Sequence, residues 1–119
     1  MLNTNLFLRL TRRETDAIYL RGKEYVTLQV RPAVICKDGF QISIQASESH
    51  YCTPRTNTEK EYTAVELGYP SEPDDIIKEY AEDSDQLTRT VYGWVPVTVV
   101  DELLEKHGGI VDITRDYMK

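Results

Sequence analysis

Glu48, His50 and Cys52 fall at alternate positions of the run SESHYC, residues 47–52. On an extended chain this spacing turns an acid, an imidazole and a thiol to one side. A thiol within hydrogen-bond reach of an imidazole, with a third group orienting the ring, is what nucleophilic cysteine chemistry requires. Side chains in a row on one strand stand nearly parallel, however, which is poor geometry for a ring nitrogen to meet sulfur, so no catalytic residue is assigned. The cluster is retained as an alternative ligand pocket of Arg31, Gln45, Glu48, His50, Cys52 and Arg55, for small-molecule binding or hydrolysis.

Two further chemistries are open to residues of these types. Cys36, His50, Cys52 and His107 satisfy the stoichiometry of a Cys2His2 zinc site. Neither a CxxC nor an HxxxH pair exists, so Cys36 reads better as a small buried hydrophobe, and no metal site is assigned. Carboxylates are abundant, with seven among the fourteen residues 72–85. Their order does not match a calcium loop, and nothing around them would raise one pKa selectively for hydrolysis. GxxxxGK, GxGxxG, HExxH and GxSxG are all absent, which leaves enzyme activity a minority reading with no cofactor expected.

Charge suggests recognition instead. Residues 1–60 hold nine Lys or Arg against six Asp or Glu, and residues 61–119 hold five against fourteen; the halves, +3 and −9, sum to the net −6. Such asymmetry suits a protein partner of complementary charge or a self-associating protomer. It disfavours direct nucleic-acid binding, because the basic residues are dispersed. Asp74, Asp75, Glu79, Glu82 and Asp83 define the acidic candidate surface, and Tyr19, Tyr51 and Tyr69 the aromatic one. Tyr92 and Trp94 are interface candidates as well, but they stand at i and i+2, a spacing that favours one shared face packed beneath a helix.

The elements that position these residues follow from periodicity. Asn3–Leu10 reads as a strand, with a short helix from a capping box at Thr11–Glu14 as the competing assignment. Tyr25–Cys36 alternates as a strand that bends at Pro32. Asp38-Gly39 then turns it into a second strand over 39–47, giving a hairpin. There Phe40, Ile42, Ile44 and Ala46 share an apolar face, and Gln41, Ser43, Gln45 and Ser47 a polar face expected to meet solvent. A polar loop over 48–60 leads to a strand burying Val65 and Leu67. Pro70 and Pro73 stop that strand, and an acidic amphipathic helix is expected over about 74–82. A short aromatic strand follows at 90–95. Pro96 opens a helix to His107 buried through Val99, Val100, Leu103 and Leu104, and Ile110–Ile113 forms a terminal edge strand.

The chain length and 40% hydrophobic composition suit one domain over residues 1–119. Residues 1–24 read as a peripheral N-terminal segment and 114–119 as a frayed tail. No apolar run is long enough to cross a membrane, and a secretory signal is not expected, because the basic residues of MLNTNLFLRLTRRE follow its apolar patch. With two cysteines far apart in sequence, a reduced cytoplasmic protein is expected. The predicted fold class is α+β: an antiparallel sheet with a central hairpin and two amphipathic helices on one apolar face.

Three phrases, RPAVICKDGFQISIQASESHYCTPR, YTAVELGYPSEPDDIIKEYAED and TVYGWVPVTVVDELLEKHGG, cover more than half of the chain. Their wording resembles small uncharacterised proteins of bacteriophages and prophages. The resemblance carries no activity and assigns no residue a role. It implies a bacterial host cytoplasm and an accessory factor acting on a host or phage protein, such as a compact acidic inhibitor that occupies a nucleic-acid-binding surface. Non-enzymatic protein binding is the preferred expectation, self-association accompanies it, and a minor virion or assembly component is a further alternative.

Overall fold

The computed structural model describes residues 2–12, 17–20, 23–26, 31–58 and 60–114. Its elements are α1 (Thr4–Leu10), β1 (Ala17–Leu20), β2 (Lys23–Val26), β3 (Val34–Cys36), β4 (Gln41–Gln45), β5 (Ala64–Gly68), β6 (Val91–Pro96), α2 (Val97–Lys106) and β7 (Ile110–Ile113). β1 and β2 form an antiparallel hairpin of their own. The other strands form a five-stranded antiparallel sheet in the order β6-β5-β4-β3-β7. The predicted α+β class and the hairpin around Asp38-Gly39 are both present; Gly39 takes φ 95, open to glycine without strain.

Register explains the core. Val34 pairs with Ile42, Ile44 with Leu67, Leu67 with Tyr92, and Val65 with Val95. These residues therefore lie on one face, and all are fully buried. Val100, Leu103 and Leu104 of α2 and Phe7 and Leu8 of α1 complete the same hydrophobic cluster. Removing this area from water supplies the main driving force for closure. Phe7 and Leu8, within the segment expected to be peripheral, are thus part of the core. Asn3 caps this helix, its Oδ1 accepting the Leu6 N–H at 2.8 Å, and Thr4 donates its N–H to Asp101 Oδ1 on α2 at 2.8 Å; of the competing helix expected from Thr11, residues 13–16 lie outside the described residues and Ala17 and Ile18 are strand. Tertiary anchoring outweighs the alternating pattern that suggested a strand.

Two further expectations change. Residues 31–33 are not strand, so the long 25–36 strand is interrupted; its segment 27–30 lies outside the described residues. The expected 74–82 helix is a turn at 75–77 followed by one 3-10 turn, Lys78–Tyr80. Ala81 then bridges Tyr92, and Glu82 donates its N–H to the Val91 carbonyl at 3.0 Å, so the chain returns to the β6 edge before a helix could lengthen. At the other edge, β7 is the terminal strand expected. Thr114, assigned to the tail, exchanges hydrogen bonds with Ala33 at 3.0 Å, whereas 115–119 lies outside the described residues. Among the described residues no helix is long and apolar enough to cross a membrane.

Candidate functional site: an aromatic pair at the β6 bulge

The sheet's second face begins as a polar surface and is largely closed. Gln45 accepts the Arg31 N–H and donates to the Arg31 carbonyl, both at 2.8 Å. The Arg31 guanidinium, itself buried, donates to the carbonyls of Ala46 at 2.7 Å and Leu8 at 3.1 Å and to Thr11 Oγ1 at 3.0 Å. Gln45, Ser43 and Ser47 are buried accordingly. Of the face expected to meet solvent, Gln41 does so, whereas Gln45 is covered by the chain's own Arg31 segment and the buried polar groups are paired, as burial demands.

Ser47 organises the next turn. Its Oγ lies 2.6 Å from His50 Nδ1 and accepts the Ser49 N–H at 3.0 Å. The Cys52 thiol donates to the Ser47 carbonyl at 3.1 Å and to the Pro54 carbonyl at 3.4 Å. Burial, then the charges of Arg31 and Arg55, pulls the His50 imidazole down to about 4, and burial raises the Cys52 thiol. Both are neutral near pH 7, the opposite of a thiolate–imidazolium pair. Glu48 and Arg55 are exposed, while Arg31, Gln45, His50 and Cys52 are buried. The six alternative pocket residues are thus divided between interior packing and surface.

The carboxylate candidates divide in the same way. Asp75, Glu79, Glu82 and Asp83 are exposed, but Asp74 is buried, so it leaves the acidic surface. Asp74 Oδ2 is 2.8 Å from His107 Nε2 and 3.0 Å from Lys106 Nζ, and its Oδ1 accepts the Ile76 N–H at 2.9 Å. His107 Nδ1 is 2.6 Å from Asp38 Oδ2, and the ring stacks on Phe40 with centroids 3.9 Å apart. Burial opposes the charge on His107, but hydrogen bonds to Asp38 and Asp74 and their charges outweigh it and raise its pKa. Burial likewise opposes ionisation of Asp74, and the Ile76 N–H, His107 and Lys106 outweigh it, lowering its pKa. With both ring nitrogens committed, His107 has no nitrogen to offer a substrate; it clamps the β3–β4 turn and the 74–80 segment to the end of α2. Sequence spacing could not show this contact, because Asp38 and His107 are 69 residues apart. Among the described residues no group of three or more His, Cys, Asp or Glu side chains is arranged to hold a metal ion.

The unspent chemistry lies on β6. Val65 pairs with Val95 and Leu67 with Tyr92, so Glu66 alone faces Gly93 and Trp94. This bulge breaks the expected alternation: Tyr92 is fully buried, whereas Trp94 turns outward and is 50% exposed. Gly93, directly before the tryptophan, was the available sequence signal, since glycine inside a strand often marks a bulge. A Cβ on Gly93 would lie 3.4 Å from Tyr51 Cβ, so the Tyr51 segment packs directly over this glycine. Trp94 takes φ 49 and donates its N–H to the Tyr51 carbonyl at 3.0 Å. The two rings stack with centroids 4.9 Å apart and planes 25° from parallel.

Arg55 places its guanidinium carbon 5.2 Å from the Tyr51 ring centroid. Glu66 lies at the same place, accepting the Tyr51 N–H at 3.2 Å. Burial and the Glu82 charge raise the Glu66 pKa, partly offset by the Tyr51 N–H and Arg55. Tyr69 at the end of β5 is the second bulky residue with left-handed backbone, φ 52, and it is 53% exposed. Tyr19 lies on β1 opposite Glu24. Of the tyrosine candidates, Tyr51 is thus drawn into a defined cluster, and Trp94, expected in the core, becomes its centre. Comparison of the chain with protein-family models, curated proteins and solved structures found no match.

Proposed function

We propose that the protein is a non-enzymatic binding module that meets a protein partner through the Tyr51–Trp94 face. The observation that carries this reading is Trp94: the only tryptophan of the chain is held half exposed in left-handed backbone geometry. For a bulky residue that geometry costs roughly 1–3 kcal/mol, and half of the side chain gains nothing from burial. Large amphipathic rings in fixed orientation are well suited to anchor an interface. Asp75, Glu79, Glu82 and Asp83 supply an exposed acidic border on the segment that runs to the β6 edge. The phage-protein resemblance supports a place in a bacterial host as an accessory factor.

The test is capture of a partner from a phage-infected bacterial lysate by the wild-type protein and by Trp94→Asn, since Asn is short and tolerates left-handed geometry. Stoichiometric capture that disappears with folded Trp94→Asn supports the reading; undiminished capture removes this face from it. Charge reversal at Asp75, Glu79 and Asp83 separates the acidic border from the rings. Solution mass of the untagged protein shows whether the partner is a second copy.

A further inference from the structure

We propose that the Tyr51–Trp94 pair, together with Glu66 and Glu82, receives an arginine side chain from a basic segment of the partner protein; the proposal rests on the reading of this face as the partner-binding surface.

The pair already holds one guanidinium, that of Arg55 over Tyr51. A planar cation is attracted by the negative face of an aromatic ring, and arginine uses this contact more often than lysine. Trp94, the stronger acceptor of the two ring types, remains half exposed beside it. Charge around the rings favours the same guest. Glu66 sits opposite the bulge and Glu82 is fixed to the Val91 carbonyl three residues before Trp94. Their mutual repulsion is one cause of the raised Glu66 pKa, with Arg55 the opposing charge. A second guanidinium would relieve that repulsion and donate hydrogen bonds to the carboxylates. Beyond the rings, residues 61–119 carry the −9 that would steer a basic segment towards this half of the chain.

The experiment titrates the full-length protein with a short Gly/Ser peptide carrying two arginines and with the same peptide carrying citrulline, a neutral isostere, in their place. Trp94 fluorescence reports directly, because no other tryptophan is present, and calorimetry follows the Trp94→Asn variant. The expected result is saturable binding that weakens about tenfold with citrulline, falls with added salt, weakens in Glu82→Gln and is lost in Trp94→Asn. Glu102→Gln, on the exposed side of α2, is expected to bind normally, and far-ultraviolet circular dichroism verifies each fold. Equal binding of the citrulline peptide, or no saturable response to the arginine peptide, overturns the proposal. If the lysate partner still depends on Trp94 while the arginine peptide is silent, the interaction face stands and the arginine assignment falls; loss of both dependences removes both.

Discussion

The His107 clamp and the Tyr51–Trp94 face use chemically rich residues in opposite ways. At the clamp, two carboxylates and a lysine surround a buried ring, and both imidazole nitrogens are bonded. At the face, one ring stacks on another, yet Trp94 remains half exposed in strained backbone geometry. Residues that look reactive in the sequence, histidine and aspartate, are spent on holding segments together. A residue that looks like core, tryptophan, is held out towards solvent. Saturated polar contacts indicate architecture, and exposed aromatic surface maintained against strain indicates recognition.

His107→Ala removes the partner of a buried carboxylate and the ring stacked on Phe40, and is expected to cost about 3 kcal/mol in urea unfolding; a change below about 1 kcal/mol would mean that the clamp contributes little. Leu67→Ala provides the reference for apolar packing, with an expected loss of about 3 kcal/mol from a fully buried site. Arg31→Met would leave the Ala46 and Leu8 carbonyls without this donor, and a loss of about 2 kcal/mol is expected.

The pH dependence sharpens the distinction. Because the fold raises the His107 pKa, its contribution is complete below the unfolded value of 6.5 and disappears as pH rises through the folded value. Asp38, lowered first by the Phe40 N–H and then by His107, and Asp74 contribute above 3.8 and lose that contribution as pH falls through their folded values. Thermal unfolding is therefore expected to show greatest clamp stability between these limits. His107→Gln should flatten the alkaline decline, while Trp94→Asn should leave the profile's shape unchanged. The smallest stability effect is expected for Trp94→Asn itself, less than about 1 kcal/mol, because relief of left-handed strain offsets the lost stacking. A loss comparable to Leu67→Ala would make Trp94 a packing residue and remove the contrast.

Much of the framework was legible from local pattern. Asp38-Gly39 between two alternating runs marked the β3–β4 hairpin, and the spacing of Val100, Leu103 and Leu104 marked the buried stripe of α2. Pro96 and Gly108 bounded that helix from the two sides. The 74–82 segment misled because its apolar spacing is helical, yet its backbone is drawn back to β6 by Ala81 and Glu82. The polar side of β4 misled because alternation separates two faces without telling what covers the second. Arg31 does so through a contact 14 residues away in sequence.

Alternation, turns and the accumulation of charge are local properties, readable from neighbours a few positions apart. The joining of Asp74 to His107, the enclosure of neutral His50 and Cys52 and the outward turn of Trp94 arise from long-range packing. Burial, hydrogen-bond satisfaction and strand register are set by residues distant in sequence. The single extra residue opposite Glu66 makes the point: one bulge at Gly93-Trp94 leaves Tyr92 and Val95 in the core and reverses the fate of the tryptophan between them.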